Sequence, residues 1–363
     1  MAITQTETIP ATMRAAVYRG VNDVRIETIP VPEIGAGEVL VKIHTCGICG
    51  TDLKKIHTGS HDAPRVFGHE MSGTIVKAGG GVIGFAVGDR VMAYHHIPCG
   101  ECFYCSKQTF AQCEAYKNVG CTAGFAPSGG GFAEYIRVMA PIVRRGGLVK
   151  IPDEIPFEQA AFLEPVNTCY KAIQRLHLQH DETVLVIGQG PIGVLLAALA
   201  RKAGATVLTS DLYPERHAIA AKFGLDHPLD ARGDVATEAK AATEGRGADV
   251  ALLAVGGNAL IKTAMDAIRP GGRVVLFAQT QRGEAPFDPA AVCMDEKTLM
   301  GSYSSSVSFN ADVNRLVFEG YRDGFDLTNL ISHRFSLEDA VAAIDLASHP
   351  HADSMKIVIQ PGS

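Results

Sequence analysis

Two groups of sulfur and nitrogen side chains are spaced for metal chemistry. Cys99, Cys102, Cys105 and Cys113 follow the pattern C-x2-C-x2-C-x7-C in a loop opened by Pro98 and Gly100. Four thiolates that close together can each reach one Zn²⁺ at about 2.3 Å. They would fill its tetrahedron and leave a closed, formally dianionic site, which can tie down a loop but cannot act as a Lewis acid. An iron–sulfur cluster and unliganded core thiols are the other readings of this spacing. A zinc-ribbon nucleic-acid module shares the thiol count, but the net charge of −6 opposes a nucleic-acid partner.

The second group is Cys46-Gly47-Ile48-Cys49-Gly50-Thr51-Asp52, followed by Gly68-His69-Glu70. A cysteine and a histidine are ligand types for a zinc that keeps an exchangeable position. Cys46-x-x-Cys49 also spells a redox pair, and a histidine alone serves equally well as a satisfied core residue. Neighbouring residues alternate across a strand, so His69 and Glu70 can both coordinate only from a turn.

The third feature is built for phosphate. Thr183 to Ile187 reads as a strand buried on both faces. Gly188-Gln189-Gly190-Pro191-Ile192-Gly193 follows as Gly-x-Gly-x-x-Gly, and Val194 to Ala200 continues as an apolar helix. One glycine turns the chain, one admits backbone to a pyrophosphate, and one lets the helix pack on the strand. The unpaired N–H groups of that helix then hold the phosphates. The next strand, Thr206 to Ser210, ends at Asp211, placed to take the adenosine ribose hydroxyls and to repel a 2′-phosphate. Arg216 is the nearest cation. NAD is therefore expected in preference to NADP, and Asp211 could also cap the following helix.

The elements that must position these groups divide the chain in two. At 363 residues it is too long for one ordinary core. With 47% hydrophobic and 20% charged residues it has a globular composition. From Met13 to about Pro156 short strands are punctuated by glycine and proline: Met13 to Tyr18, Val24 to Ile29, Val39 to Thr45, Gly73 to Val76 and Arg90 to Tyr94. No long helical period appears there, so a β-barrel-like domain is expected, with function on its loops. From Phe157 strands alternate with helices. Asp249 to Val255 and Arg273 to Ala278 are further buried strands, and a helix from Ala259 to Ile268 stops at Pro270-Gly271-Gly272. That is a doubly wound parallel sheet, whose loops at Val255-Gly256 and Ala278-Gln279 should approach the nicotinamide. No basic, signal-like or membrane-length apolar segment is evident, and nine cysteines without a signal suggest a reducing, cytoplasmic setting.

Cys49-Gly50-Thr51-Asp52, Gly68-His69-Glu70, Val87-Gly88-Asp89-Arg90-Val91, the four-cysteine loop, Glu164-Pro165 and the dinucleotide turn occur in that order. Together they resemble the zinc-dependent medium-chain dehydrogenase/reductase family, most closely its polyol (sorbitol-like) and threonine dehydrogenase branch, over nearly the whole length. The resemblance implies an α/β chain: a GroES-like β-barrel catalytic domain (1–156), a doubly wound Rossmann domain (157–297) and a return segment (298–363) belonging to the first. It implies two Zn²⁺ per chain. The catalytic one would be held by Cys49, His69, Glu70 and Glu164, the structural one by the four-cysteine loop, leaving Cys46 as a packed core thiol. By charge counting, two carboxylates ligating throughout turnover would blunt the metal's acidity, so Glu164 is expected to exchange between the ion and a water on it. Thr51 would bond the substrate oxygen and start the proton's exit, which Lys54, His57 or water would complete. His95 and His96 are expected to be structural, with one able to face the substrate. Thr168 and Val255 would contact the cofactor. The expected activity is hydride transfer between a secondary alcohol, a polyol or sugar alcohol, and NAD. L-threonine and short aliphatic alcohols are the alternative substrates, and an NAD-binding structural relative is the non-enzymatic alternative. The resemblance also implies a homodimer or homotetramer with a small-molecule substrate and neither nucleic acid nor membrane as partner.

Overall fold

A computed structural model of the chain describes residues 8–278, 283–285 and 287–362. Gln279, expected near the nicotinamide, lies outside them. The described residues form two compact units. One takes those within Met1–Glu164, Asn314–His349 and Ile357–Ser363; the other takes Pro165–Val313 and Pro350–Lys356.

The first unit is built on strand Val39–Gly47. Along one edge it pairs antiparallel with Glu70–Ala78, and the register sets Cys46 opposite Met71 and Gly47 opposite Glu70. It also pairs with Tyr135–Val138 near its start and with Lys356–Gln360 at Cys46 and Gly47. One strand with three partners curls the eight-stranded sheet, which runs on through Arg90–Ala93 to Leu148–Lys150. Leu40, Ile43, Met71, Ile75, Met92 and Ile136 are buried side chains of this sheet, and Val39–Gly47 at its centre is buried on both faces over much of its length. A smaller sheet joins Asp23–Pro30, Thr12–Gly20 and Arg65–Val66. The Gly47–Glu70 register has a direct consequence: the chain leaves one strand for Cys49 beside the point where it enters the next from His69.

Short helix Gly50–Thr58 follows Cys49 at once. It escapes a search for long helical periods because it has nine residues and a mostly polar face. The first unit also extends beyond Pro156. Helix Phe157–Ala161 belongs to it, Ser72 Oγ donating to the Phe157 carbonyl at 2.7 Å. Gln159 is wholly buried and ties in the returning chain: Nε2 donates to the carbonyls of Val317 at 3.0 Å and Phe325 at 3.2 Å, while Oε1 accepts from Leu327 N at 2.8 Å.

The second unit is a six-stranded parallel sheet in the order Pro228–Asp230, Thr206–Asp211, Thr183–Ile187, Ala248–Leu253, Ile268–Leu276, Thr298–Gly301. In chain order this is 3-2-1-4-5-6, the doubly wound arrangement, with its switch point between the first and fourth strands. Leu185, Ile187, Leu208, Ala251, Leu253, Ile261, Met265 and Val274 form one buried cluster of this unit. Two expectations are corrected here. Helix Asn258–Ala267 runs straight into strand Ile268–Leu276, so Pro270-Gly271-Gly272 lies inside the strand; the pairing with Ala248–Leu253 shifts register there and accommodates it. Thr298–Gly301, expected in the return segment, is the sixth strand; half-exposed at the sheet edge, it lacks the apolar run that marks a buried strand. Among the described residues no helix is long and apolar enough to cross a membrane.

Replacing Gln159 by leucine keeps the volume but leaves two carbonyls and one N–H unpaired in the core. We expect a loss of about 2–4 kcal/mol of stability in the first unit, read by denaturant unfolding; a change within experimental error would show that the return segment is held without this side chain.

Candidate active site

Cys49 is the N-cap of helix Gly50–Thr58. Its Sγ accepts from Thr51 N at 3.4 Å, and Asp52, the third helical residue, accepts from Cys49 N through Oδ2 at 3.4 Å. This is a capping box with sulfur in place of the usual hydroxyl. Asp52 is 1% exposed. Its other oxygen accepts from His69 Nδ1 at 3.0 Å and from Gly68 N at 3.5 Å. Burial opposes ionisation of Asp52, yet the charge and hydrogen bond of His69 hold it below the ordinary carboxylate range. Burial likewise opposes a charge on His69, and the Asp52 and Cys49 charges overcome it, raising the imidazole well above its ordinary value. With Nδ1 committed to Asp52, Nε2 is the ring nitrogen left to meet a metal.

Cys49 Sγ, a His69 ring nitrogen and a Glu70 carboxylate oxygen all lie within 4.8 Å of one another. His69 precedes the strand that Glu70 opens, and Gly68 before it has φ +93°, so the two side chains converge from a turn. Gly68 has a second reason to be glycine: a Cβ there would stand 2.9 Å from Cys46 Sγ and closer still to the Phe132 ring. Gly131 presses on the same sulfur from its own position, where a Cβ would lie 2.5 Å away. Cys46 is thus a packing group with no exposed surface, which removes the access a Cys46–Cys49 redox pair needs. The donor set of thiolate, imidazole and carboxylate fits a divalent zinc-type ion.

Glu164 is buried in the first turn of helix Leu163–Gln174 and is not one of the three converging donors. Thr51 and Lys54 lie on the helix that Cys49 caps. His57, on its last turn, is held at both nitrogens, Nδ1 2.6 Å from Asn22 Oδ1 and Nε2 2.8 Å from Ser348 Oγ. His95 and His96 are buried behind His69. Burial and the neighbouring charges of His96 and His69 keep the His95 imidazole well below its ordinary value, hence neutral.

In the cysteine loop Cys99 and Cys105 sulfurs are 3.9 Å apart, Cys102 and Cys105 3.6 Å, and Cys99 and Cys113 3.5 Å. A tetrahedron of sulfurs at zinc distance has edges of about 3.8 Å, whereas a disulfide would bring them to about 2 Å. The sulfurs therefore stand at the spacing an ion would require and are not paired with each other. Hydrogen bonds from the backbone of Glu114 and Cys105 hold Cys102 down to about 6, while burial pushes Cys105 up to about 12.

In the second unit the glycines act as the sequence requires. Gly188 has φ +93°, and its missing Cβ would touch Val255 at 3.0 Å. A Cβ on Gly193 would overlap the Gly188 carbonyl. Gly190, N-cap of helix Pro191–Lys202, faces open space where a phosphate fits. Ile192 follows in the helix's first turn. Asp211 is buried, its Oδ2 accepting from Gln189 N at 2.6 Å and Oδ1 from Tyr213 N at 3.0 Å. It does not cap the next helix, whose N-cap is Tyr213. Arg216 Nη1 stands 3.5 Å from Asp211 Oδ2, and its guanidinium lies over the Tyr213 ring at 4.9 Å. Thr168 is in helix Leu163–Gln174.

The residue that inspection of the sequence passed over is Asp52. It was visible as the third residue of a helix capped by Cys49, a spacing that signals a capping box when serine or threonine leads it and is easily missed when cysteine does.

Comparison with known proteins supplies the lineage. The alcohol dehydrogenase GroES-like domain model matches residues 35–153, and the zinc-binding dehydrogenase model matches residues 191–319. A sorbitol dehydrogenase of Bacillus subtilis is 30% identical over 98% of this chain and 99% of its own. An L-threonine 3-dehydrogenase of Rhizobium rhizogenes is 31% identical over 86% of this chain and 89% of its own. Among solved structures, 2R,3R-butanediol dehydrogenase of Bacillus subtilis is 30% identical with a TM-score of 0.83, covering 96% of this chain and 99% of that one. A chain from Sinorhizobium meliloti described as a zinc-binding dehydrogenase and bound to NADP is 30% identical with a TM-score of 0.85, covering 97% and 100%. A likeness that runs end to end and takes in both units places the chain in the zinc-dependent medium-chain dehydrogenase family, and it is a dehydrogenase of that family.

Proposed function

We propose that this chain oxidises a secondary alcohol of the polyol class with NAD, and that Cys49, His69 and Glu70 hold its catalytic zinc. The observation that carries this is the convergence of those three donors within 4.8 Å, with Asp52 braced behind His69. Zinc at that place would act as a Lewis acid on the alcohol oxygen, and NAD would accept the hydride. Once an ion displaces the Nε2 proton, His69 would offer a neutral nitrogen beside the negative charges of Cys49 and Glu70, so three ligands would balance a divalent ion and leave a position for substrate. Glu164 serves as an exchanging fourth group, taking a water or the ion in turn. Thr51 accepts the alcohol proton and passes it outward. His57 is held at both ring nitrogens, so Lys54 or a water chain is the better terminus.

The substrate class follows from what the relatives named above share. Sorbitol, threonine and butanediol each present a secondary carbinol next to a carbon bearing a second heteroatom, and a site that bonds both is expected here. For the cofactor, Asp211 is buried and tied to the glycine turn through Gln189 N, so a 2′-phosphate placed beside it would meet a like charge, and Arg216, 3.5 Å from Asp211 Oδ2, is already engaged with that carboxylate. The NADP-bound relative is the precedent against this choice, which makes the measurement decisive. Thr168 and Val255 are assigned to the nicotinamide half. The four-cysteine loop is assigned the structural zinc. A homodimer or homotetramer in the cytoplasm completes the proposal.

The test is NADH appearance across sorbitol, xylitol, 2,3-butanediol, L-threonine and ethanol; ethanol turned over as well as the polyols would overturn the class. Asp211→Ser should raise the NADP-to-NAD ratio of kcat/KM by roughly 10- to 100-fold, since it removes the like charge opposite a phosphate. Asp52→Asn should weaken metal at the Cys49 site by about 10–100-fold without unfolding the protein, measured by chelator competition. For the cysteine loop, zinc uptake must displace the protons still on the thiols. At pH 7.5 Cys102, at about 6, is mostly ionised and Cys105, at about 12, is not. Calorimetry in buffers of different ionisation enthalpy should report about two to three protons released per ion, with affinity falling as pH falls because protons compete for the sulfurs.

A further inference from the structure

Four rings run in unbroken contact from the proposed catalytic ligands to the cysteine loop. The His69 and His95 ring centroids are 4.5 Å apart, His95 and His96 3.7 Å, and His96 and Tyr116 4.2 Å, each pair tilted by 40–51°. All four residues are buried. Tyr116 then packs with Cys105 and Cys113 in one cluster. The chain fixes two rings of this ladder, His96 and Tyr116, to the loop. His96 lies three residues before Cys99, and Tyr116 lies three after Cys113, its N–H donating to the Cys113 carbonyl at 3.1 Å. Cys99 N donates to Cys113 Sγ at 3.3 Å, so closing the sulfurs on an ion brings the two ends of the loop, and with them His96 and Tyr116, together. Gly120 packs closely on the backbone of this ladder, since a Cβ there would be 2.7 Å from the His95 carbonyl oxygen.

We infer that Tyr116, His96 and His95 are positioning residues, coupling occupancy of the four-cysteine loop to the placement of His69. The loop supplies two states, closed on an ion or released. Flat side chains in close contact leave no void to absorb the difference, so a displacement at Tyr116 is passed along to His69. The four-sulfur site would then do more than hold a surface loop: its loss would detune the catalytic metal before the domain unfolds. This rests on the reading of Cys49 and His69 as metal ligands.

The test uses the full-length chain with zinc retained in the cysteine loop and Co²⁺ in the other site, read by visible spectrum and by chelator competition for cobalt. A thiolate-to-cobalt charge-transfer band in the unaltered protein is required; its absence would overturn the ligand reading, and the inference with it. Given the band, His96→Leu and Tyr116→Leu should shift the cobalt spectrum and weaken cobalt binding by about 10-fold, as loss of an outer partner does. His96→Phe and Tyr116→Phe, which keep a flat ring, should restore both. Ile43→Val, a core truncation in the same unit but off the ladder, should leave both unchanged. Leucine variants whose spectra and affinity overlay those of the unaltered protein, or an Ile43→Val change as large as theirs, would overturn the coupling while leaving the ligand assignment standing.

Discussion

A single buried carboxylate organises the first unit's chemistry. Asp52 accepts from Cys49 N and Gly68 N and from the His69 ring, so one side chain joins the start of a helix to the turn before a strand. Its burial would be costly without those partners. With them it fixes the direction of the imidazole and holds two segments twenty positions apart at one place. The strand register supports it from below, since Gly47 opposite Glu70 already brings both chain ends together. The sulfur, the imidazole and the second carboxylate then converge as a consequence of backbone geometry.

The cysteine loop obeys a different constraint. Four thiols within 4 Å of their neighbours repel one another once ionised unless a cation sits among them; backbone hydrogen bonds hold Cys102 down to about 6, while burial pushes Cys105 up to about 12. An ion bound there would be part of the loop's structure. Because the loop's two ends carry His96 and Tyr116, its closure also packs the space behind His69.

In the second unit the constraint is steric. The glycine turn works because strand, turn and helix approach so closely that a methyl group at Gly193 would strike the Gly188 carbonyl. Asp211 is locked to the turn by the Gln189 N–H, so the acid that would meet the ribose and the turn that would meet the phosphates form one rigid piece. Gln189, a variable position of the motif, therefore contributes through its backbone while its amide side chain bonds the carbonyls of Val186 and Gly188.

The local order of residues was enough to read strand Thr183–Ile187, the glycine turn, and the candidate donors Cys49, His69 and the four cysteines. These are written in short-range patterns: apolar runs, glycines at fixed offsets, and thiols a few residues apart. Helix Gly50–Thr58, the edge strand Thr298–Gly301 and the Pro-Gly-Gly inside Ile268–Leu276 were not legible, because a short polar helix, a half-exposed edge and a bulge each depend on partners distant in sequence. For the same reason only the folded chain decides that Asp52 braces His69, that Cys49, His69 and Glu70 converge, and that Cys46 is packing. Each is a matter of which side chains meet after the register of two strands is set, and register is a property of the whole sheet.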